Sequence, residues 1–299
     1  MDNQDINATL GALQIGVLIS FVLFGVATTQ CYVYFTRFPE DSSRVKAVTA
    51  FVWLCDAANT ICLGHILYTL TISDYAHPDH LNSPPPRSLS ASTLFTGFTA
   101  TSVQAFFGFR IYAFTKKIYI PALIWFMAFL HLLGRLILFS TTLHTSSLNT
   151  YVIRWEWLIA TNWSISVATD VVITTTLVFV LYGQRSQAHR KTAALVDKII
   201  VWTIETGMLT SVTTSVMLAC FVTMKQNYVW IAFYAISAQF FANSLMTSLN
   251  SRASLRSMEG IFLQDVSTSN RPASNVVHVQ TVRQVTYGDD PSRKFSAAV

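Results

Sequence analysis

Three carboxylates stand in long apolar runs. Asp56, Asp170 and Glu205 each interrupt such a run, with no opposite charge in the neighbouring positions. An ionisable group in lipid costs about 2.5–3.5 kcal/mol on insertion scales, so such residues tend to face a bundle interior and handle an ion, a proton or a ligand. Asp170 shares a helical face with Trp163, Ser166 and Thr174, at separations of seven, four and four residues. Asp56 has Asn59 and Thr60 on its side, and Gln239, Asn243, Thr247 and Asn250 recur at helical spacing as a further polar stripe. The ligand or ion-pathway candidates are therefore Asp56, Asp170, Glu205, Gln239 and Asn243. Arg110 is placed to snorkel or to reach Asp56, and Arg135 has Glu156 as an expected ion-pair partner. The competing expectation is structural, because hydroxyl and amide side chains join membrane helices at about 0.6 kcal/mol per bond.

No residue set points to catalysis. The chain has no G-x-S-x-G, no H-E-x-x-H and no glycine-rich phosphate loop, so an enzyme is not expected and no cofactor is implied. His65 is nine residues from Asp56, half a turn round the helix, and His131 stands alone in its run. Asp74, His77, Asp79 and His80 share one polar loop, but their spacing matches no strong zinc pattern, and no metal is expected. Asn7-Ala8-Thr9 has the form of a glycosylation acceptor, close to the first apolar run.

The elements that must position these residues are membrane spans. The chain has 299 residues, 52% hydrophobic and 12% charged, where a soluble domain has about a quarter charged. Apolar runs recur at about 11–35, 47–72, 91–114, 118–141, 155–182, 199–224 and 229–249. Each is long enough, at about 1.5 Å per residue, to cross or nearly cross a hydrocarbon core of about 30 Å. The run from Trp155 to Tyr182 carries Trp155 and Trp157 at one end and Arg185 just past the other, as interfacial anchors should lie. The fold class is all-α: a polytopic seven-transmembrane helix bundle. With the N-terminus outside, 16 of the 20 lysines and arginines fall on the cytosolic side, three fall outside, and Arg135 is left within a span. That asymmetry sets the N-terminus outside and the C-terminus in the cytosol.

Four segments follow: residues 1–10 as a short outer terminus, 11–249 as the seven-helix domain, 250–263 as an amphipathic helix on the inner face, and 264–299 as a disordered cytosolic tail. The net charge of +5 is explained by orientation, not by nucleic acid. The partners expected are the lipid bilayer and a cytosolic protein at the basic inner face and tail. The oligomeric state is left open, and a multi-pass place in the plasma membrane is favoured over an internal membrane.

Five blocks carry a family resemblance: LGALQIGVLISFVLFGVATTQCYVYFTRFPED, FVWLCDAANT, VQAFFGFRIY, KIIVWTIETGMLTS and FANSLMTSLNSRASLR. Over about residues 10 to 256 the chain resembles a family of basidiomycete seven-span integral membrane proteins catalogued as a domain of unknown function. The resemblance implies that Asp56, Arg110, Glu205, Asn243, Asn250, Arg252 and Arg256 are motif positions. It implies a fold and a membrane, with no ligand or reaction. The seven-span plan also looks like a G-protein-coupled receptor, but D-R-Y, N-P-x-x-Y and an outer cysteine pair are missing, and span seven has no lysine to carry retinal. Two functions remain. One is a receptor-like or sensory protein with a ligand site in the helix bundle. The other is a transporter or channel using the intramembrane carboxylates, against which the lack of an inverted repeat counts.

Overall fold

The structure, a computed structural model, describes residues 3–73, 86–145, 147–187, 190–224 and 229–269. The described residues form seven long helices and no strand: α1 (Asn3–Arg37), α2 (Ser43–Tyr68), α3 (Arg87–Thr115), α4 (Tyr119–Leu143), α5 (Leu148–Gln187), α6 (Arg190–Thr223) and α7 (Trp230–Ser269). A π-helical turn, Thr69–Ser73, follows α2. The chain divides into two compact units, residues 1–259 and 260–299. The loop with Asp74, His77, Asp79 and His80, and the tail beyond 269, lie outside the described residues.

The helices run on beyond the apolar runs at two places. Into the polar stretch that separates two apolar runs, α5 extends to Gln187 and α6 begins at Arg190. No proline interrupts that stretch, and Arg185 on α5 pairs with Asp197 on α6 at 2.5 Å. Through residues 250–263, where the sequence expects an amphipathic helix, α7 continues to Ser269. Extending a nucleated helix adds a hydrogen bond per residue fixed, and the first proline after it is Pro272. Between α3 and α4 the turn is tight because Lys116 caps α3 in the left-handed region (φ 56°), its N–H bonded to Tyr112 O at 2.9 Å.

Five of the described helices are long and apolar enough to cross a membrane: Leu10–Arg37, Ser43–Ile72, Tyr119–Leu143, Thr150–Arg185 and Val196–Thr223. This is a multi-pass membrane protein. The sequence expected α3 and α7 to span as well, and both are too polar to meet that measure. Their position explains the polarity. Large exposed apolar side chains cover α1, α2, α4, α5 and α6, whereas α3 shows only Phe109 and Phe114 and the described part of α7 shows none. A helix that meets other helices, not lipid, is free to carry hydroxyls and amides.

Cross-helix contacts give the directions. Residues 16, 23 and 30 of α1 meet 232, 243 and 250 of α7, so these two helices run parallel. Asn59 meets Thr96 and His65 meets Ser88, while Ala105 meets Trp125 and Gly97 meets Arg135. His131 meets Asn162 and Leu138 meets Tyr151, and Trp163 meets Phe221 and Thr174 meets Gly207, so successive helices α2 to α6 alternate. One end of the bundle therefore carries Arg37, and the opposite end carries Trp230.

Candidate functional site

Asp170 is buried on α5, and Gln104 of α3 reaches it. The Gln104 amide donates to Asp170 Oδ1 at 2.9 Å and to Ser166 Oγ at 3.5 Å. One amide spans both because Ser166 and Asp170 are a turn apart on one face. Asp170 Oδ2 and Gln104 Oε1 have no partner among the described residues. Beside them is a cavity of about 20 Å³, lined also by Thr174, Thr203, Thr206, Gly207, Thr210 and Ser244. That is room for one water, far below the roughly 300 Å³ of a small-molecule site. The expected stripe of Ser166, Asp170 and Thr174 is present, while Trp163 turns elsewhere. Gln104 was missed, although a lone amide amid VQAFFGF was a signal of its own.

Two further cavities continue from this one toward the Arg37 end. A void of about 10 Å³ shares Phe107, Thr203 and Thr206 with the first and is bordered by Arg110, Trp202, Thr247 and Ser248. A larger one, about 350 Å³, shares Trp202, Thr247 and Ser251 with the second and reaches Gln30, Arg37 and Asn250. All three lie between α6 and α7, and the largest also borders α1 through Thr29, Gln30, Val33 and Arg37. The α6 threonines bond back to their own helix: Thr206 to Trp202 O at 2.8 Å, Thr210 to Gly207 O at 3.2 Å, Thr214 to Thr210 O at 3.0 Å. Glu205 stands apart. It lies exposed, about 100° round α6 from Thr206, and lines none of these cavities.

Both arginine pairings expected from the sequence are replaced. Arg110 donates to Ser248 Oγ at 2.7 Å, and its guanidinium lies 5.8 Å from the Phe114 ring. It cannot reach Asp56. Asn59 is level with Thr96, so Arg110 lies about 16 Å farther along the bundle than Asp56. Arg135 is occupied by His131, at 3.4 Å, and by the Tyr234 ring, 6.0 Å away, rather than by the Glu156 carboxylate. Gly97 allows this: a Cβ there would come within 3.0 Å of the Arg135 side chain, which crosses α3 at that point.

Asp56 is fully buried on α2, and neither of its oxygens has a partner among the described residues. Thr60, a turn away, gives its hydroxyl to Asp56 O at 2.8 Å and accepts from Gln239 Nε2 at 2.9 Å. Asn243 donates to Gln239 O at 2.8 Å and to Leu23 O at 3.1 Å. Gln239 and Asn243 thus lie with Asp56, and Asp170 lies apart from all three, beyond α3. Farther along α7, Asn250 donates to Gln30 O at 2.8 Å, and Arg252 holds Asp41 with two bonds, one of 2.5 Å, its guanidinium stacked 4.6 Å from the Phe38 ring. Among the described residues no three His, Cys, Asp or Glu side chains meet to hold a metal ion.

The Trp230 end is closed by rings. Trp163, Phe221 and Trp230 lie 5.0–5.7 Å apart, packed with Tyr151, Met217, Leu138 and Tyr234. The Trp230 end is therefore filled, and the cavities lie toward the Arg37 end.

Comparison with known proteins adds one match. Residues 166–254 match the profile of a family of unknown function (DUF6534), less than a third of the chain. The matched stretch holds Asp170, Glu205, Gln239, Asn243 and Arg252; Asp56, Gln104 and Arg110 lie before it. No curated protein matches the chain.

Proposed function

We propose that the chain is a receptor-like or sensory protein of the plasma membrane, crossing it seven times with the N-terminus outside and the C-terminus in the cytosol. In this reading α6 moves at its cytosolic end against α3 and α7, and a cytosolic protein reads the change at the basic inner face and tail. The supporting observation is that the three cavities all lie between α6 and α7, from Asp170 to the Arg37 end. Packed interiors have two arrangements rather than a continuum, and voids between two helices leave room for one to shift against the other. The largest of the three, an open cleft of about 350 Å³, is the one of ligand size.

Spin labels test the movement in full-length, cysteine-substituted protein in nanodiscs. A pair on exposed Val201 of α6 and Phe114 of α3 should give two distance populations, and a pair on Thr36 of α1 and Phe114 a single narrow one. Thr206→Trp should fill the void and move the first pair to its longer distance. One narrow distance in both pairs, unchanged by the tryptophan, would overturn the reading. Tags on the two termini should appear on opposite faces of intact cells.

A transporter or channel using Asp170 is the second reading, favoured by the line of polar cavities. Against it stand the aromatic closure around Trp163 and the uninterrupted course of the described helices through their apolar stretches, where transporters break theirs at the site. It predicts that Asp170→Asn abolishes pH-dependent uptake by reconstituted vesicles.

A further inference from the structure

The open cleft of about 350 Å³ between α1, α6 and α7 has more hydrogen-bond donors than acceptors left over. Arg37, Gln30 and Trp202 line it. The Arg37 guanidinium, the Gln30 amide nitrogen and the Trp202 indole N–H make no hydrogen bond among the described residues. The hydroxyl protons around them are already given: Thr29 to Gly25 O, Thr247 to Gln30 Oε1 and Ser251 to Ser248 O. Against these donors stands the Asn250 amide oxygen, an enclosed acceptor without a partner among the described residues. An occupant must therefore bring acceptors.

Charge narrows the choice. Arg37 ends α1, and Lys198 of α6 stacks on the Trp202 ring, 5.2 Å from its centre, so each side brings a cation. Among the described residues no carboxylate lines the cleft. Asp41 and Asp197, close to these cations in the chain, are held by Arg252 and Arg185, and Glu40 and Glu205 lie outside the lining. The acceptors that fit best carry negative charge.

The depth of the cleft decides what carries that charge. Arg37 is the last residue of the apolar stretch Leu10–Arg37, and Gln30 lies seven residues deeper, about 10 Å along the helix axis. A free phosphate matches one of these levels, whereas a phospholipid has its phosphate at the first and its ester oxygens at the second. A path for an acyl chain continues below. Val22 and Val26 share the α1 face of Thr29 and Val33 and are exposed, as is Leu209, seven residues past Trp202 on α6. We propose that this cleft holds one anionic phospholipid of the leaflet at the Arg37 end, its phosphate on Arg37 and its ester oxygens on the Gln30 amide. Basic pockets between spans take such headgroups at the cytosolic surface. The assignment names a ligand class for the cleft and rests on the membrane placement proposed above, but not on the movement of α6.

Native mass spectrometry of the full-length protein in detergent tests this, with phosphatidylserine and phosphatidylcholine of identical chains supplied together. One phosphatidylserine should stay bound per chain, favoured several-fold over phosphatidylcholine. It should also raise Tm saturably, because it binds the folded state. Inorganic phosphate should do neither. Arg37→Gln, at an exposed position, should remove most of the preference, and Val33→Trp should exclude the lipid by filling the cleft. Lys117→Gln, which removes an exposed cation outside the cleft, should leave the preference intact. Equal retention of the two lipids by the wild type, a preference untouched by Arg37→Gln, or an equal Tm rise with inorganic phosphate would overturn the site. Two spin-label distances without a retained lipid would remove the site and leave the α6 movement standing, and a retained lipid with one distance would do the opposite.

Discussion

Helices α6 and α7 both turn a polar stripe into the bundle, and they pack in opposite ways. The stripe of α7 is amide-rich. Gln239, Asn243 and Asn250 reach Thr60, Leu23 O and Gln30 O, and α7 is drawn so close to α1 that a Cβ on Gly16 would lie 2.7 Å from Ala232 backbone atoms. The stripe of α6 is made of threonines, and Thr206, Thr210 and Thr214 donate to carbonyls of their own helix. A threonine hydroxyl has one proton on a short stem, and the carbonyl a turn behind is its nearest acceptor. An amide is longer and has two protons, so it can satisfy a neighbour as well as its own helix. Equal polarity on a helical wheel therefore bonds across to neighbouring helices in one case and back to its own helix in the other.

The comparison is broken most severely at Gly16. Gly16→Val is expected to destabilise the folded protein by about 1–3 kcal/mol, at the upper end because the obstacle is Ala232 backbone, which cannot rotate away. Unfolding of the detergent-solubilised variant would measure it, and a neutral result would mean that α1 and α7 are not in contact there. Asn243→Leu comes next. It removes bonds to Leu23 O and Gln239 O, for an expected loss of about 1–2 kcal/mol. Arg252→Lys should have a smaller effect, about 0.5 kcal/mol, since the Arg252–Asp41 pair is partly exposed and a lysine keeps the charge while losing the two-pronged geometry. Added salt should narrow that last difference and leave the Gly16 effect alone.

The sequence shows part of this difference and hides the rest. Apolar run length and the Lys/Arg asymmetry locate the helices, and the spacing of Gln239, Asn243, Thr247 and Asn250 does reveal the α7 stripe. Helical periodicity also groups Asp170 with Ser166 and Thr174. It cannot tell which neighbouring helix a stripe will face, so Gln104 escaped notice although it holds Asp170 from another helix. Glu205 shows the limit most plainly. It lies beside the cavity-lining Thr206 in the chain, but one residue is about 100° of rotation, enough to put it on the exposed side. Arg110 and Asp56 look like natural partners by charge. Only the register of α2 against α3, fixed by Asn59 and Thr96, separates them.

The smallest expected effect is the sharpest test of the contrast. Thr206 borders two cavities, and its hydroxyl bonds only to Trp202 O and Thr203 O within α6. Thr206→Val keeps the branched shape and removes that hydroxyl. If back-bonded threonines contribute nothing across the seam, stability should change by less than about 0.5 kcal/mol, because both carbonyls are already acceptors in the helix. Asn243→Leu, measured beside it, should lose at least twice as much. A Thr206→Val loss equal to that of Asn243→Leu would mean that the hydroxyl bonds across the void through a water, and that the α6 seam is held as firmly as the α7 seam.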